Sequence, residues 1–348
     1  MKKNRGFTLI ELLAVIVILA VIALIATPLI MGTITKSKMN AFRDSVYGII
    51  HAGEIAATEK MTNNVMFEVK NAKIVDEEGN PLQYKGQEMK EGILSFSNQG
   101  ESSLVLWNGS YCGLKSKKNS KVTIKKASQL KDCVPIYDVG QDITLSDGTT
   151  WKVIRSNEEN PLEVELLSTK NLKKLENGTY EQDKLDTALN SSNALAFDPN
   201  GRRTPLNGNA YCVNSASLGC NEYEMNGTTV TMDSAIKEVV TEYQKQLINQ
   251  GSISSKSKVS LITKEQLETL GCDSRADGNT GNCSNAPSWV KGTSYWTRSK
   301  EGSNAVDVWV LYTNGDLSYD CASRGTTYGI RPTVTLPIVM FGGIDSIP

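Results

Sequence analysis

The sequence predicts an α+β protein: a long N-terminal transmembrane and stalk helix packed on an antiparallel β-sheet head, followed by a second α+β domain. Three observations lead to this prediction. An apolar run near the N-terminus passes into a stripe of apolar residues at helical spacing. Short alternating runs between turn residues then predict antiparallel strands. From residue 136 to residue 348, a new hairpin pattern and two amphipathic segments predict the second domain.

The apolar run covers residues 12–31, in which only Thr27 and Pro28 are not aliphatic. Twenty helical residues span about 30 Å, enough to cross the hydrocarbon core of a membrane. No Ala-x-Ala cleavage signal follows the run, so we expect the mature protein to keep it. Three basic residues and no acidic residue lie within 1–5, which predicts a single pass with a cytoplasmic N-terminus.

Glu11 is a lone carboxylate at the start of this apolar helix. A charge at the centre of a membrane helix costs about 2.5 to 3.5 kcal/mol on the insertion scale. If Glu11 is buried in an assembly, it therefore needs a cation as partner. The alternative is that Glu11 lies one turn inside the helix and reaches the membrane surface.

Beyond the apolar run, the helical pattern becomes one-sided. Apolar or small residues recur at steps of three and four at Met39, Phe42, Val46, Ile49, Gly53 and Ala56. This spacing is typical of an amphipathic helix on a core. We predict one helix from about Thr8 to Thr62, kinked or loosened near Pro28, which lacks an amide hydrogen.

The string Gly6-Phe7-Thr8-Leu9-Ile10-Glu11-Leu12-Leu13 spans the predicted start of the helix. This string resembles the N-terminus of type IV prepilins and of type II secretion pseudopilins. The resemblance implies a leader of residues 1–6, removed by a membrane peptidase that cuts between Gly6 and Phe7 and methylates the new amine of Phe7. It also implies that subunits pack their apolar helices, residues 7–62, into a fibre, where the amine of Phe7 from a neighbouring subunit neutralises Glu11.

Residues 63–135 are predicted to form the β head of such a pilin. Its strands are predicted from alternating runs at 65–69, 92–97, 103–107 and 121–124. We expect inward side chains of this sheet, such as Leu104, Leu106 and Val122, to cover the apolar stripe of the helix.

The second domain is predicted to begin with a hairpin over 137–154 and a third strand at 162–168. Two helices follow, one over 236–251 and one over 263–271 that opens with a capping box. We expect residues 199–227, which are rich in Asn and Gly, to form an irregular loop.

Seven cysteines lie downstream of the apolar run, where an extracellular location makes disulfides the default. Sequence neighbours suggest the pairs Cys112–Cys133, Cys212–Cys220 and Cys272–Cys283, although spacing alone does not fix the connectivity. Cys321 is left over, either free or bonded to another chain. No metal site is expected, because no Cys-x-x-Cys occurs and the one histidine, His51, lies on the helix.

The C-terminal part carries a second resemblance, on the segments Tyr295-Trp296-Thr297-Arg298-Ser299, Val306-Asp307-Val308-Trp309-Val310-Leu311 and Gly329-Ile330-Arg331-Pro332-Thr333-Val334-Thr335-Leu336. These segments resemble uncharacterised extracellular domains of Gram-positive bacteria, which are similar to the C-type lectin-like and formylglycine-enzyme-like folds. The resemblance implies a fold and no activity. No Glu-Pro-Asn or Gln-Pro-Asp tripeptide is present, so a calcium-dependent sugar site of that type is not expected.

Five side chains of this part form a candidate ligand groove: Trp296, Arg298, Trp309, Arg324 and Arg331. The alternative is structural. In that interpretation the tryptophans fill a small core and the arginines bind loop carbonyls.

Charge and composition narrow the function classes. Loss of the three basic residues of the leader takes the formal net charge from -1 to -4. A basic run over 115–126 contains no aromatic residue for stacking, so we expect a solvated hairpin and no nucleic-acid partner. Outside the helix there is no histidine, which removes the usual Ser-His, Cys-His and zinc constellations. Pairs of catalytic carboxylates remain possible, because Asp and Glu are plentiful, but no pair is singled out by its context. We therefore expect neither an enzyme nor a cofactor.

The sequence thus predicts a type IV pilin-like structural subunit, a single-pass membrane protein before assembly and part of an extracellular fibre afterwards. The expected partners are other pilins, the prepilin peptidase and, before assembly, membrane lipid; the C-terminal domain is expected to serve adhesion or partner contact. The alternatives are a pseudopilin or minor subunit of a type II secretion or DNA-uptake machine, and a membrane-anchored extracellular binding domain.

Overall fold

The computed structural model of the chain describes residues 8–60, 64–97, 100–117, 119–175, 177–182, 210–212, 222–225, 228–231, 235–255, 257–274, 281–300, 307–321 and 328–341. Within these ranges the chain is an α+β protein, as the sequence predicts, and all its paired strands run antiparallel. Its helices are α1 (Leu9–Lys60), α2 (Ala235–Asn249) and α3 (Lys264–Thr269).

Helix α1 has 52 residues, which at 1.5 Å per residue makes it about 78 Å long. Its bounds agree with the predicted helix to within two residues at each end. Pro28 lies inside α1, which continues through it, so the predicted kink stays a prediction. The hydroxyl of Thr27 donates a hydrogen bond of 2.6 Å to the carbonyl of Ala23, in the turn that precedes the proline.

The first sheet packs on α1. Its strands are β1 (Asn64–Lys70), β2 (Lys73–Asp76), β3 (Glu91–Ser97), β4 (Ser102–Trp107), β5 (Tyr111–Lys115) and β6 (Thr123–Lys126), in the spatial order β2-β1-β3-β4-β5-β6. Four of these strands overlap the predicted runs. Strands β2 and β5 are additions that the sequence pattern did not show.

The remaining strands follow along the chain as β7 (Asp142–Thr144), β8 (Thr150–Arg155), β9 (Glu163–Ser168), β10 (Leu172–Lys174), β11 (Tyr180–Gln182), β12 (Ala210–Cys212), β13 (Glu222–Met225), β14 (Thr228–Thr231), β15 (Val259–Leu261), β16 (Gly281–Asn282), β17 (Tyr295–Lys300), β18 (Asp307–Leu311), β19 (Asp316–Cys321) and β20 (Pro332–Pro337). They form a five-stranded sheet, β15-β20-β9-β8-β7, and a four-stranded sheet, β16-β19-β18-β17. Two small sheets, β10-β11 and β12-β13-β14, complete the list. The prediction of an irregular loop over 199–227 is wrong in part, because β12 and β13 lie inside it and pair with each other.

The two faces of the first sheet pack against different partners. On β3, Leu94 and Phe96 join the apolar cluster of α1. The preceding Ile93 joins a cluster that includes much of the chain after residue 135, here called the second region. On β4, Leu104 faces α1 and Val105 faces away in the same manner. Because successive side chains of a strand point to opposite faces, the sheet is a middle layer between the helix and the second region.

The C-terminal end of the second region packs against that sheet. The 3-10 turn over Ile338–Met340 contacts β3 and β4, and the hydroxyl of Ser95 donates to the sulfur of Met340 at 3.5 Å. The rings of Tyr137 and Phe341 meet edge to face at 5.5 Å between centroids. Residues on either side of the predicted boundary at 135 thus share one apolar cluster.

The helices of the second region follow the sequence patterns. Helix α2 buries Val239, Val240 and Leu247 in the same cluster as the five-stranded sheet. Helix α3 opens with the predicted capping box: the amide of Gln266 donates to the hydroxyl of Thr263 at 3.1 Å, and the side chain of Gln266 accepts from the amide of Thr263 at 2.7 Å.

Candidate functional site: the projecting helix

The first 30 residues of α1, Leu9 to Lys38, are not packed on the described protein. Their aliphatic side chains are exposed, with Leu9, Leu24 and Leu29 at 84%, 78% and 76%. This segment, here called the projecting helix, extends about 45 Å before Met39 reaches the core. An apolar surface of this size on all sides of a helix is stable only in lipid or against other apolar helices.

The three threonine hydroxyls of the projecting helix are satisfied within it. The hydroxyls of Thr27, Thr33 and Thr35 each donate to the carbonyl four residues earlier, at 2.6, 3.1 and 2.9 Å. A helix with internally bonded polar groups suits a medium without water. In the described part of the chain, α1 is the one helix that is long and apolar enough to cross a membrane.

Glu11 lies at the free end of the projecting helix. Its Oε2 accepts hydrogen bonds from the amide and the hydroxyl of Thr8, at 2.9 and 2.8 Å. The amide of Glu11 donates back to the hydroxyl of Thr8 at 3.4 Å, which makes a reciprocal cap of the helix start. The carboxylate of Glu11 can therefore have two roles. One of its oxygens caps the start of the helix, and its charge is available to a cation.

That cation does not come from the projecting helix, because its two lysines, Lys36 and Lys38, lie at the other end, about 37 Å or more from Glu11 along the helix axis. Between Leu9 and Thr35, Glu11 is the only charged residue in the sequence. A positive partner must therefore come from another segment or another molecule. Gly6 and Phe7, the predicted cleavage and methylation positions, lie outside the described residues.

Residues 1–27 match the family model described as the prokaryotic N-terminal methylation motif. The match covers 27 of the 348 residues and is consistent with a type IV pilin-like N-terminus. It is also consistent with processing by a prepilin peptidase and with assembly with other pilins. No curated protein and no solved structure matches the chain.

The second half of α1 joins the projecting helix to the first sheet, here called the head. Phe42, Val46 and Ile49 have no exposed surface and pack against the first sheet. Gly53 faces the ring of Phe96, where a side chain would collide. Close contact between helix and sheet fixes the direction in which the projecting helix leaves the head.

An ion pair fixes the end of α1. Lys60 Nζ lies 2.8 Å from Asp76 Oδ2 on β2 and 3.4 Å from Glu78 Oε2. Burial alone would raise the pKa of Asp76, but hydrogen bonds from Lys60 and from Asn80 outweigh it and hold the pKa well below its usual range. Asp76 therefore remains a carboxylate at any physiological pH.

Two of the three predicted disulfides are present. Cys112 on β5 is bonded to Cys133 after a separation of 21 residues, and Cys272 is bonded to Cys283 after a separation of 11. Cys220 lies outside the described residues. For Cys212 and Cys321 the backbone alone is described, as the last residues of β12 and β19. Among the described residues, no group of three or more His, Cys, Asp or Glu is placed to hold a metal ion.

The candidate groove of the C-terminal part needs a correction. Trp296, Trp309 and Arg331 are 0%, 4% and 1% exposed, so they are core residues and do not line a groove. Arg298 is half-buried and donates to the hydroxyl of Ser260 at 3.3 Å. Arg324 lies outside the described residues.

Arg331 has the structural role that the sequence left open as the alternative. Its guanidinium donates to the carbonyls of Ser168, Val290 and Trp289 at 2.6, 3.0 and 2.7 Å. The same group lies over the ring of Tyr295, 5.1 Å from the centroid. The arginine of the Gly-x-Arg-Pro segment thus joins β20, β9 and β17.

The sequence did not point to a cavity that lies between the β7–β8 turn, the β10–β11 hairpin and α2. Its deepest residues, Tyr180, Gln182 and Tyr243, come from two segments about sixty residues apart and belong to no motif. No signal in the sequence brings them together.

Proposed function

We propose that this protein is a subunit of a type IV pilus-like surface fibre, in which the projecting helix is the assembly element and the second region is displayed outward. One observation carries the proposal: a helical segment of 30 residues, most of them apolar, stands free of the folded part and contains a single carboxylate. The methylation motif supports it. The N-terminus faces the cytoplasm before assembly, in agreement with the basic residues of the leader.

In this function the leader is removed between Gly6 and Phe7, and the new amine of Phe7 is methylated. A positive amine now begins each helix, four residues from Glu11. When a subunit enters the fibre, the amine of a neighbour pairs with Glu11, because two opposite charges lose less on leaving water together than either loses alone. The pair sets the axial register, and the aliphatic side chains supply the packing.

The two tasks of Glu11 can be separated by substitution. Glu11→Gln removes the charge but keeps an oxygen that can accept from the amide of Thr8. Thr8→Val keeps the charge and removes the hydroxyl of the cap. We expect Glu11→Gln to abolish assembly and Thr8→Val to reduce it only slightly, as measured by the amount of the chain in sheared fibres relative to the membrane. Normal fibres from Glu11→Gln would show that the charge is not the assembly signal.

Processing is tested at the leader. We expect Gly6→Trp to block the cut and leave a membrane precursor that still carries Met1, as measured by intact mass. Phe7→Leu keeps an apolar residue after the cut and serves as control, with a methylated N-terminus expected. Mature, methylated protein from Gly6→Trp would refute the proposed cleavage position.

A minor or tip subunit, or a pseudopilin of a secretion or DNA-uptake machine, is the second candidate. The second region favours it, because it packs against the head sheet and adds bulk that a closely spaced fibre must accommodate. Immunogold labelling of fibres separates the candidates: regular decoration indicates a principal subunit, and sparse or terminal decoration indicates a minor one. A plain membrane-anchored binding domain would keep its location and its function in Glu11→Ala.

The proposed role of the second region is adhesion or contact with a partner, without a catalytic step. Its exposed position, at the opposite face of the head sheet from α1, supports this display role. A variant without the charge of Glu11 would no longer carry the second region on the fibre, although the structure of the second region would be unchanged.

A further inference from the structure

The cavity beside α2 has the size of a ligand site. It measures about 530 Å³ and lies within the range of 300–1,000 Å³ typical of small-molecule pockets. Hydroxyl and amide side chains dominate its lining. They include Thr149, Thr150, Thr169, Gln182, Tyr243 and Gln246.

Two buried polar groups of this lining have no hydrogen-bond partner in the described part of the chain. Tyr243 is 1% exposed, and its phenol oxygen is unpaired there. Gln182 is 8% exposed, and its Nε2 is unpaired in the same way. Buried polar groups are almost always satisfied, so two orphans at one cavity point to a ligand that supplies their partners.

The surrounding contacts hold both groups in place. The ring of Tyr243 stacks on Trp151, with 6.5 Å between centroids. The side-chain oxygen of Gln182 accepts from the hydroxyl of Thr169 at 3.2 Å, which leaves its amide nitrogen as the free donor. Gln246 bonds the backbone of Tyr180 twice, at 2.9 and 2.7 Å, and so fastens the β10–β11 hairpin to α2. The orphans are therefore preorganised.

The charge of the cavity favours a neutral ligand. Asp147 and Lys170 contribute one charge of each sign to the lining. Glu181 is paired with Lys173 at 2.9 Å. Burial, and then the charge of Asp147, raise the pKa of the Tyr243 phenol, so it stays protonated.

We propose that this cavity binds one neutral saccharide unit of a glycan, with the amide of Gln182 donating to a sugar oxygen and the phenol of Tyr243 exchanging a hydrogen bond with a sugar hydroxyl. A sugar presents hydroxyls that donate and accept at close spacing, as these groups require. A peptide is the weaker occupant, because apolar side chains are scarce in the lining, where Leu175 is the main one. The biological use of the site rests on the proposed display function; the binding itself does not.

The test uses the full-length protein in a detergent without a sugar headgroup. Glucose, galactose, mannose, N-acetylglucosamine, N-acetylgalactosamine and their disaccharides are the probes, measured by saturation-transfer NMR and titration. We expect at least one of them to bind. We expect Tyr243→Phe, which keeps the stacked ring, and Gln182→Met each to weaken that binding about threefold to tenfold. Tyr243→Phe should leave the thermal midpoint unchanged, because it removes an unpaired hydroxyl.

Tyr319→Phe is the matched control, since Tyr319 is 37% exposed and lies on β19, outside the cavity. Its sugar affinity should equal that of the wild type. Three results would overturn the proposal: no probe binds, a probe binds equally well to both cavity variants, or the tripeptides Gly-Asn-Gly and Gly-Gln-Gly bind where the sugars do not. Failure of the fibre proposal would give a different result: the protein would be absent from sheared fibres, while its sugar affinity would be unchanged.

Discussion

The two halves of α1 belong to one continuous helix and differ in what surrounds them. In the projecting helix, apolar residues occupy every side and are exposed from Leu9 to Ile34. In the second half, the buried residues lie on one stripe, from Phe42 to Gly53. The distribution of apolar residues around the helix therefore indicates its surroundings. A helix that is apolar on all sides suits lipid or other apolar helices, and a helix with one apolar stripe suits packing on a folded head.

The largest expected effect comes from emptying the buried stripe. Phe42 has no exposed surface and stacks near Tyr111, with 6.0 Å between ring centroids. We expect Phe42→Ala to lower the free energy of unfolding of the head by about 3 to 5 kcal/mol, because it removes apolar burial and leaves a cavity. Denaturant unfolding of the detergent-solubilised protein, followed by tryptophan fluorescence, measures it.

Leu24→Ala is the control for that comparison. Leu24 is 78% exposed on the projecting helix, so the same measurement should change by less than about 0.5 kcal/mol. Equal effects of the two substitutions would show that the projecting helix also packs on the head.

Most elements were predictable where the pattern is local. The spacing of apolar residues is enough to predict α1, and the residue types of Thr263 and Gln266 are enough to predict the capping box of α3. The second covered face of the head sheet was not predicted, although a signal exists. On β4 the run Leu104-Val105-Leu106 is apolar at every position, which is typical of a strand buried on both faces rather than on one.

The functional residues divide in the same way. Glu11 stands out because a charge in an apolar run is rare and costly, so sequence alone identifies it. Burial, by contrast, is not encoded in residue type: Trp296 and Arg331 suit either a groove or a core, and three backbone carbonyls decide the case for Arg331. The cavity of Gln182 and Tyr243 depends on the tertiary fold and has no local signature.

A smaller effect is expected from two glycines of α1, one in each half. A Cβ at Gly53 would collide with the ring of Phe96, which is buried. Gly53→Ala should therefore cost about 1 to 3 kcal/mol of unfolding free energy by overpacking. Gly32→Ala meets nothing within 4 Å and should improve helix formation by up to about 1 kcal/mol.

Denaturant unfolding measures the first glycine, and helicity in micelles by circular dichroism measures the second. Opposite signs are the expected outcome. If Gly53→Ala were neutral, the helix would be free to shift on the sheet, and the fixed direction of the projecting helix would be lost.

The smallest expected effect is pH-dependent and concerns the ion pair at the end of the packed half. Asp76 is buried, and its pKa is lower in the folded protein than in the unfolded chain, because Lys60 and Asn80 bond its carboxylate. A lowered carboxyl pKa stabilises the fold in full at neutral pH, and this contribution is lost as the pH falls below about 4, where the unfolded chain takes up protons first. We expect Asp76→Asn to lower the free energy of unfolding by roughly 1 to 2 kcal/mol at pH 7, and the difference from the wild type to shrink as the pH falls from 4 to 2.

Glu78→Gln is the control. The side chain of Glu78 is 72% exposed, and its 3.4 Å contact with Lys60 is screened by water, so the free energy of unfolding should fall by less than about 0.5 kcal/mol at any pH. A constant difference between the wild type and Asp76→Asn down to pH 2 would mean that the amide loses packing or hydrogen bonds rather than charge, and that the helix end is held by shape alone.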